Sequence, residues 1–217
     1  MDRIGELAAF GTAVSWTIGA LFFERGIKRI GVLSVNFFKV VFGFILLTIT
    51  AVFIRGIPLP FDAPPRVVLF LSLSSISGFV IADMFLLSAY ATVGPRIGML
   101  FMALSPPITA GIAYVFLGET IGSRGGIGMC LVLTGIFMTM FGRQNGISLF
   151  RIKKDDKRGY LFAFIASLGQ SAGVTLTRAG IGDYHPVSAT QIRLLTAIIG
   201  FGIVSLLYTR EKTCRKR

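Results

Sequence analysis

Long stretches without a single charged residue alternate along this chain with short polar and basic segments. The runs 7–23, 40–54, 67–82, 97–118, 125–142, 160–177 and 194–209 hold no Asp, Glu, Lys, Arg or His. A bilayer core about 30 Å thick takes roughly 20 helical residues to cross, and a helix crosses without leaving backbone polar groups unpaired. The pattern therefore predicts an all-α, polytopic membrane protein with seven transmembrane helices. Three of the runs are short for a crossing and extend through one ionisable residue each: Lys39 in the second, Asp83 in the third and Arg193 in the seventh.

The chain repeats itself. Laying 5–55 without gaps on 159–209 puts Gly5, Leu7, Ala9 and Phe10 on Gly159, Leu161, Ala163 and Phe164, and puts Gly19, Gly26 and Ile27 on Gly173, Gly180 and Ile181. Ser34 falls on Ser188, Lys39 on Arg193, and Ile45 and Ile49 on Ile199 and Ile203. The first two spans recur as the last two. Five spans precede the second copy, and an odd number sends it into the membrane in the opposite direction. Inverted repeats of this kind build transporters, whose midplane site is exposed first to one side and then to the other. On this division 1–142 is a first five-helix repeat, 143–158 a basic loop, and 159–217 an incomplete second repeat of two helices and a basic tail. A full second copy needs about three further helices. The alternative expectation is thus a truncated, inactive or partner-dependent fragment, assisted by self-association or complementing helices.

Composition agrees with a membrane protein: 53% of residues are hydrophobic and 15% charged. The net charge of +12 would suggest nucleic acid in a soluble protein. Here the basic residues border hydrophobic spans, so the expected partners are the lipid bilayer and a small-molecule substrate, with no nucleic acid. Cys130 lies in the fifth span and Cys214 in the tail, a spacing that fits neither a disulfide framework nor a metal site. No metal and no cofactor are expected. The single histidine, His185, sits between the sixth and seventh spans, and with no convergent set of catalytic groups the sequence reads as no enzyme. The N-terminal segment carries no small-residue cleavage site and reads as a retained span. Arg143, Arg151, Lys153, Lys154, Lys157 and Arg158 crowd the loop after the fifth span, which by the positive-inside rule places the N-terminus outside.

Residues 95–120, PRIGMLFMALSPPITAGIAYVFLGET, combine a mid-helix proline with a closing Leu-Gly-Glu. Together with the aromatic-rich first span around Trp16, the cation Lys39 early in the second, and SGFVIADMFLLSAYATVGP over 77–95, this segment resembles the EamA-type transporters of the drug/metabolite transporter superfamily. The resemblance implies ten spans in two five-helix repeats, location in the cell membrane, and efflux or uptake of small metabolites or drug-like solutes by alternating access. Glu119 takes the place of the family's closing acidic residue. The resemblance also implies a cytoplasmic N-terminus, opposite to the charge pattern.

The residues of interest follow from depth and polarity. An ionised side chain in the hydrocarbon costs about 2.5–3.5 kcal/mol on insertion scales, so Lys39 and Asp83 need partners. Counted from the same membrane face, Lys39 lies about 9 Å in and Asp83 about 13 Å in, which predicts an intramembrane ion pair facing a central cavity. Arg193, the repeat mate of Lys39, would find the mate of Asp83 only beyond Arg217. Trp16, Asn36, Tyr90, Ser105, Gln170 and Gln191 are the other candidates for a cavity wall. Pro106 and Pro107 each remove a backbone donor and should break or kink the fourth helix. Gly11, Ser15 and Gly19 on the first helix, and Gly128, Gly135 and Gly142 every seven residues on the fifth, form stripes suited to close helix contact, as do Gly169 and Gly173.

Overall fold

The computed structural model describes residues 3–120, 122–141, 143–144, 147–148 and 157–214. The first crossing is α1 (Arg3–Ile30) and the second α2 (Val32–Arg55). The third is composite: α3 (Pro65–Ser75), a π-helical turn over Ile76–Ile81, and α4 (Ala82–Val93). The fourth is broken into α5 (Pro95–Met102) and α6 (Ser105–Leu117). Then come α7 (Ser123–Phe141), α8 (Lys157–Ile181) and α9 (Pro186–Cys214), with a two-residue antiparallel pair, β1 (Arg143–Gln144) and β2 (Ile147–Ser148), after α7. Six crossings are long and apolar enough to span a membrane over their described residues, the composite third and the broken fourth each taken whole, and in α7 the apolar stretch found is Gly125–Gly135. The all-α polytopic architecture expected from the charge-free runs is the one observed.

Two hairpins turn on a single glycine. Gly31 between α1 and α2 and Gly94 between α4 and α5 share φ 84° and ψ 163°, a region essentially closed to residues with a Cβ. The first helix runs on past its apolar stretch to Ile30, carrying Glu24 and Lys28 as an i,i+4 pair at 2.7 Å. Side chains such as Phe53, Phe116 and Val115 stand exposed on the flanks, as lipid-facing residues do.

α8 is the hub, and small residues let it be one. A Cβ on Gly173 would stand 2.9 Å from Gly78 Cα, and one on Gly180 would run into the Phe70 ring. Water does not drive helices together in lipid, so close backbone approach and interhelical hydrogen bonds do. Ser74 Oγ donates to the Gly173 carbonyl at 2.6 Å and Ser77 Oγ to the Gly169 carbonyl at 2.9 Å, while Ser75 Oγ donates to the Arg193 carbonyl on α9. The stripes elsewhere behave differently: a Cβ on Gly11 or Gly128 would meet nothing within 4 Å. Gly142 lies outside the described residues.

The π turn was not anticipated. It sits where these serines and Gly78 face α8 and α9, and its extra residue rotates the helix beyond it by about 100° relative to an uninterrupted one. Asp83, just after the turn, points toward α2.

Candidate solute cavity and buried charges

The break in the fourth crossing follows from its two prolines. Pro106 and Pro107 cannot donate, and in a continuous helix their rings would strike the carbonyls of Met102 and Ala103. The chain instead ends α5 at Met102, makes a turn in which Leu104 N bonds the Phe101 carbonyl at 3.0 Å, and starts α6 with the prolines in its first turn. Ser171 on α8 donates to the carbonyl of Ser105 at 3.1 Å, and the two hydroxyls lie 3.0 Å apart.

Beside this break lies a cavity of about 850 Å³. Its wall is made by Trp16 from α1, Met99 and Met102 from α5, Ser105, Pro106 and Thr109 from α6, Met129 from α7, and Gln170 and Val174 from α8. It reaches the face at which α6 and α8 end, where Glu119 and Arg178 form an ion pair at 2.8 Å with side chains 37% and 65% exposed. At the other end Met99 Sδ accepts from Trp16 Nε1 at 3.2 Å and from Tyr90 OH at 3.0 Å. The Tyr90 ring packs so closely on Gly98 that a Cβ there would come within 2.5 Å of it. These three side chains form a shelf.

Beyond the shelf is a crevice of about 10 Å³, room for about one water, bounded by Trp16, Lys39, Asp83 and Tyr90. Lys39 Nζ lies 2.5 Å from Asp83 Oδ2, with side chains 18% and 7% exposed, and sits 5.8 Å from the Phe23 ring centroid. The structure thus brings the two intramembrane charges together. It does not put them on the wall of the large cavity, as the central-cavity expectation had it, because the Trp16–Met99–Tyr90 shelf stands between.

The other candidates separate into wall and core. Trp16, Ser105, Pro106, Gln170 and Glu119 line the cavity, whereas Pro107, one residue on, does not. Asn36 is fully buried between α2 and α4, with Nδ2 3.4 Å from the Asp83 carbonyl. Gln191 is also fully buried and ties α9 to the loop after α2, donating to the Pro58 carbonyl at 2.8 Å. Arg193 lies off the wall, its guanidinium carbon 4.5 Å from the Phe79 ring centroid and its Nε buried without a hydrogen-bond partner among the described residues. Asn36, Gln191 and Arg193 thus stand off the wall of this cavity, at helix-packing positions. Polarity within a span does not distinguish the two, since both satisfy buried groups.

Arg178 was missed. The depth comparison that joined Lys39 to Asp83 would have found it, since Glu119 follows the end of α6 and Arg178 stands in the last turn of α8 at the same face. The methionines were missed because a thioether gives no distinctive sequence signal.

The model of the EamA-like transporter family matches residues 3–141. The chain belongs to that family. No curated protein and no solved structure matches it. This EamA-like protein is a multi-pass membrane transporter, and such transporters act on small molecules. The family match ends in α7, so α8, which supplies Gln170, Val174 and Arg178 to the cavity, lies beyond it.

Proposed function

We propose that this transporter carries a small solute by exposing the cavity beside the α5–α6 break alternately to the two membrane faces. The observation that carries the reading is the cavity's asymmetry. It reaches one face at Glu119 and Arg178 and is shut toward the other by Met99, Trp16 and Tyr90. A volume of about 850 Å³ suits a small organic molecule, for which pockets of about 300–1,000 Å³ are usual. Broken helices at the interface of inverted repeats are where transporters place their sites. Two lining residues, Trp16 and Gln170, are mates under the alignment of 5–55 on 159–209, which supports a two-fold relation running through the cavity. On this reading the shelf opens in the second state, and the route to the far face passes the Lys39–Asp83 pair.

The test is accessibility from both sides. In a background with Cys130 and Cys214 replaced by serine, Thr109→Cys in proteoliposomes should be modified by a membrane-impermeant thiol reagent added to either face. Modification from one face only, under all conditions that keep the protein folded, would exclude alternating access.

A further inference from the structure

The cavity wall and the buried charges beside it differ in kind, and the difference bears on what the cavity can hold. Resting on the reading of the cavity as the solute site, we infer that it takes an uncharged solute with an aromatic body, read by Trp16 and Met99 at the inner end.

Among the described residues on the wall, charge is carried by Glu119 and Arg178, and these satisfy one another at the mouth at 2.8 Å. Deeper in, the wall presents the indole of Trp16, 43% exposed, and the thioethers of Met99 and Met102. An ionised solute brought to this depth would leave water and meet no opposite charge on the wall. An aromatic ring would stack against the indole and touch the sulfurs, both favourable contacts for a π face or edge. Ser105 is already engaged with Ser171, which leaves Thr109 and Gln170 to hydrogen-bond a hydroxyl or amide of the solute.

The neighbouring ions are held apart from this wall. Lys39 is neutralised by Asp83 beyond the Met99 shelf. Arg193 turns toward Gly78, where an added Cβ would lie 3.3 Å from its Nη2 and 3.4 Å from Gln170 Oε1, and it stacks on Phe79. An anionic solute would have to be read through Gln170 by Arg193, and that is the competing outcome.

Trp16 is the chain's single tryptophan, so its fluorescence reports from the cavity wall and the shelf to which that ring belongs. The full chain in detergent micelles is titrated with biphenylmethanol, biphenylmethylamine and biphenylcarboxylate, which share a body and differ in charge. The neutral alcohol should move Trp16 emission with an affinity at least about tenfold tighter than either ion. Ala110→Phe, which fills the cavity, should abolish that response. Met99→Leu, which keeps the bulk and removes the sulfur, should weaken the alcohol by roughly threefold or more and leave the ions unmoved. Equal or tighter binding of either ion overturns the inference, and a carboxylate preference lost in Arg193→Gln would assign recognition to Arg193. A response that survives Ala110→Phe places the probe in the micelle and also overturns it. One-sided labelling of Thr109→Cys with the neutral preference intact would retire the carrier reading alone. A reversed preference with two-sided labelling would retire the solute class alone.

Discussion

One ion pair stands at the mouth of the cavity and another in the crevice behind its shelf, each between helices distant in sequence, and the pairs use the same chemistry at opposite depths. Lys39–Asp83 joins α2 to α4 with 18% and 7% of the side chains exposed, whereas Glu119–Arg178 joins the end of α6 to α8 with 37% and 65% exposed. A charge in hydrocarbon that loses its partner has no water to turn to, so the inner pair is held by the cost of parting. A charge at the membrane face has water as an alternative, and its pair can open and close at little cost. Depth alone thus makes one pair a fixture beneath the shelf and the other a removable clasp at the mouth.

Breaking the inner pair should have the largest effect. Lys39→Ala or Asp83→Asn should destabilise the detergent-solubilised protein by about 3–5 kcal/mol, read as a large fall in melting temperature or loss of folded yield. The exchange Lys39→Asp with Asp83→Lys should recover part of that loss, because the pair is restored even though the packing against Phe23 is not. If either single variant melts with the wild type, the inner pair is no fixture and the contrast between the two ends collapses.

At the mouth the expected change is within about 1 kcal/mol for Glu119→Gln or Arg178→Gln, measured the same way. Access should change instead: a cysteine at Thr109 should react faster from the mouth side once the clasp is removed. A melting loss as large as that at the inner end would show that the mouth is structural.

How far these two ends were legible in the sequence depends on the physical basis of each. The helices were legible because the hydrocarbon admits no charge, and long uncharged runs announce themselves. Lys39 and Asp83 could be joined by counting residues from one face, and the break at Pro106 and Pro107 follows from the missing donors. The π turn could not be read, since Ile76–Ile81 has the composition of any buried helix and its extra residue coincides with a contact, Gly78 against Gly173 of α8, that exists only in the folded chain. For the same reason the partition between cavity and crevice was invisible: it is made by Met99 accepting from two groups far away in sequence or across a hairpin, a contact that exists only once Gly94 has turned the chain.

A third pair sharpens the comparison. Arg55 at the end of α2 bonds Asp62 Oδ2 at 2.6 Å and also Ser188 Oγ, its guanidinium carbon lies 5.7 Å from the Tyr184 ring centroid, and Tyr184 OH donates to Asp62 Oδ1 at 3.1 Å. This cluster fastens the α2–α3 loop to the α8–α9 loop at the same face as the mouth. The hydrogen bond from Arg55 holds the Asp62 carboxyl below its ordinary value of 3.8. A carboxylate with a depressed folded value contributes stability above its unfolded value and loses it as pH falls through the folded one. The melting difference between wild type and Asp62→Asn should therefore be present at neutral pH and vanish below the usual carboxylate range, where both side chains are uncharged. Its size should be the smallest of the three, because Asp62 is 43% exposed and water competes for the carboxylate. A difference that persists unchanged into acid would mean that the loops are held by shape and not by this charge, and that exposure had already emptied the outer pairs of their worth.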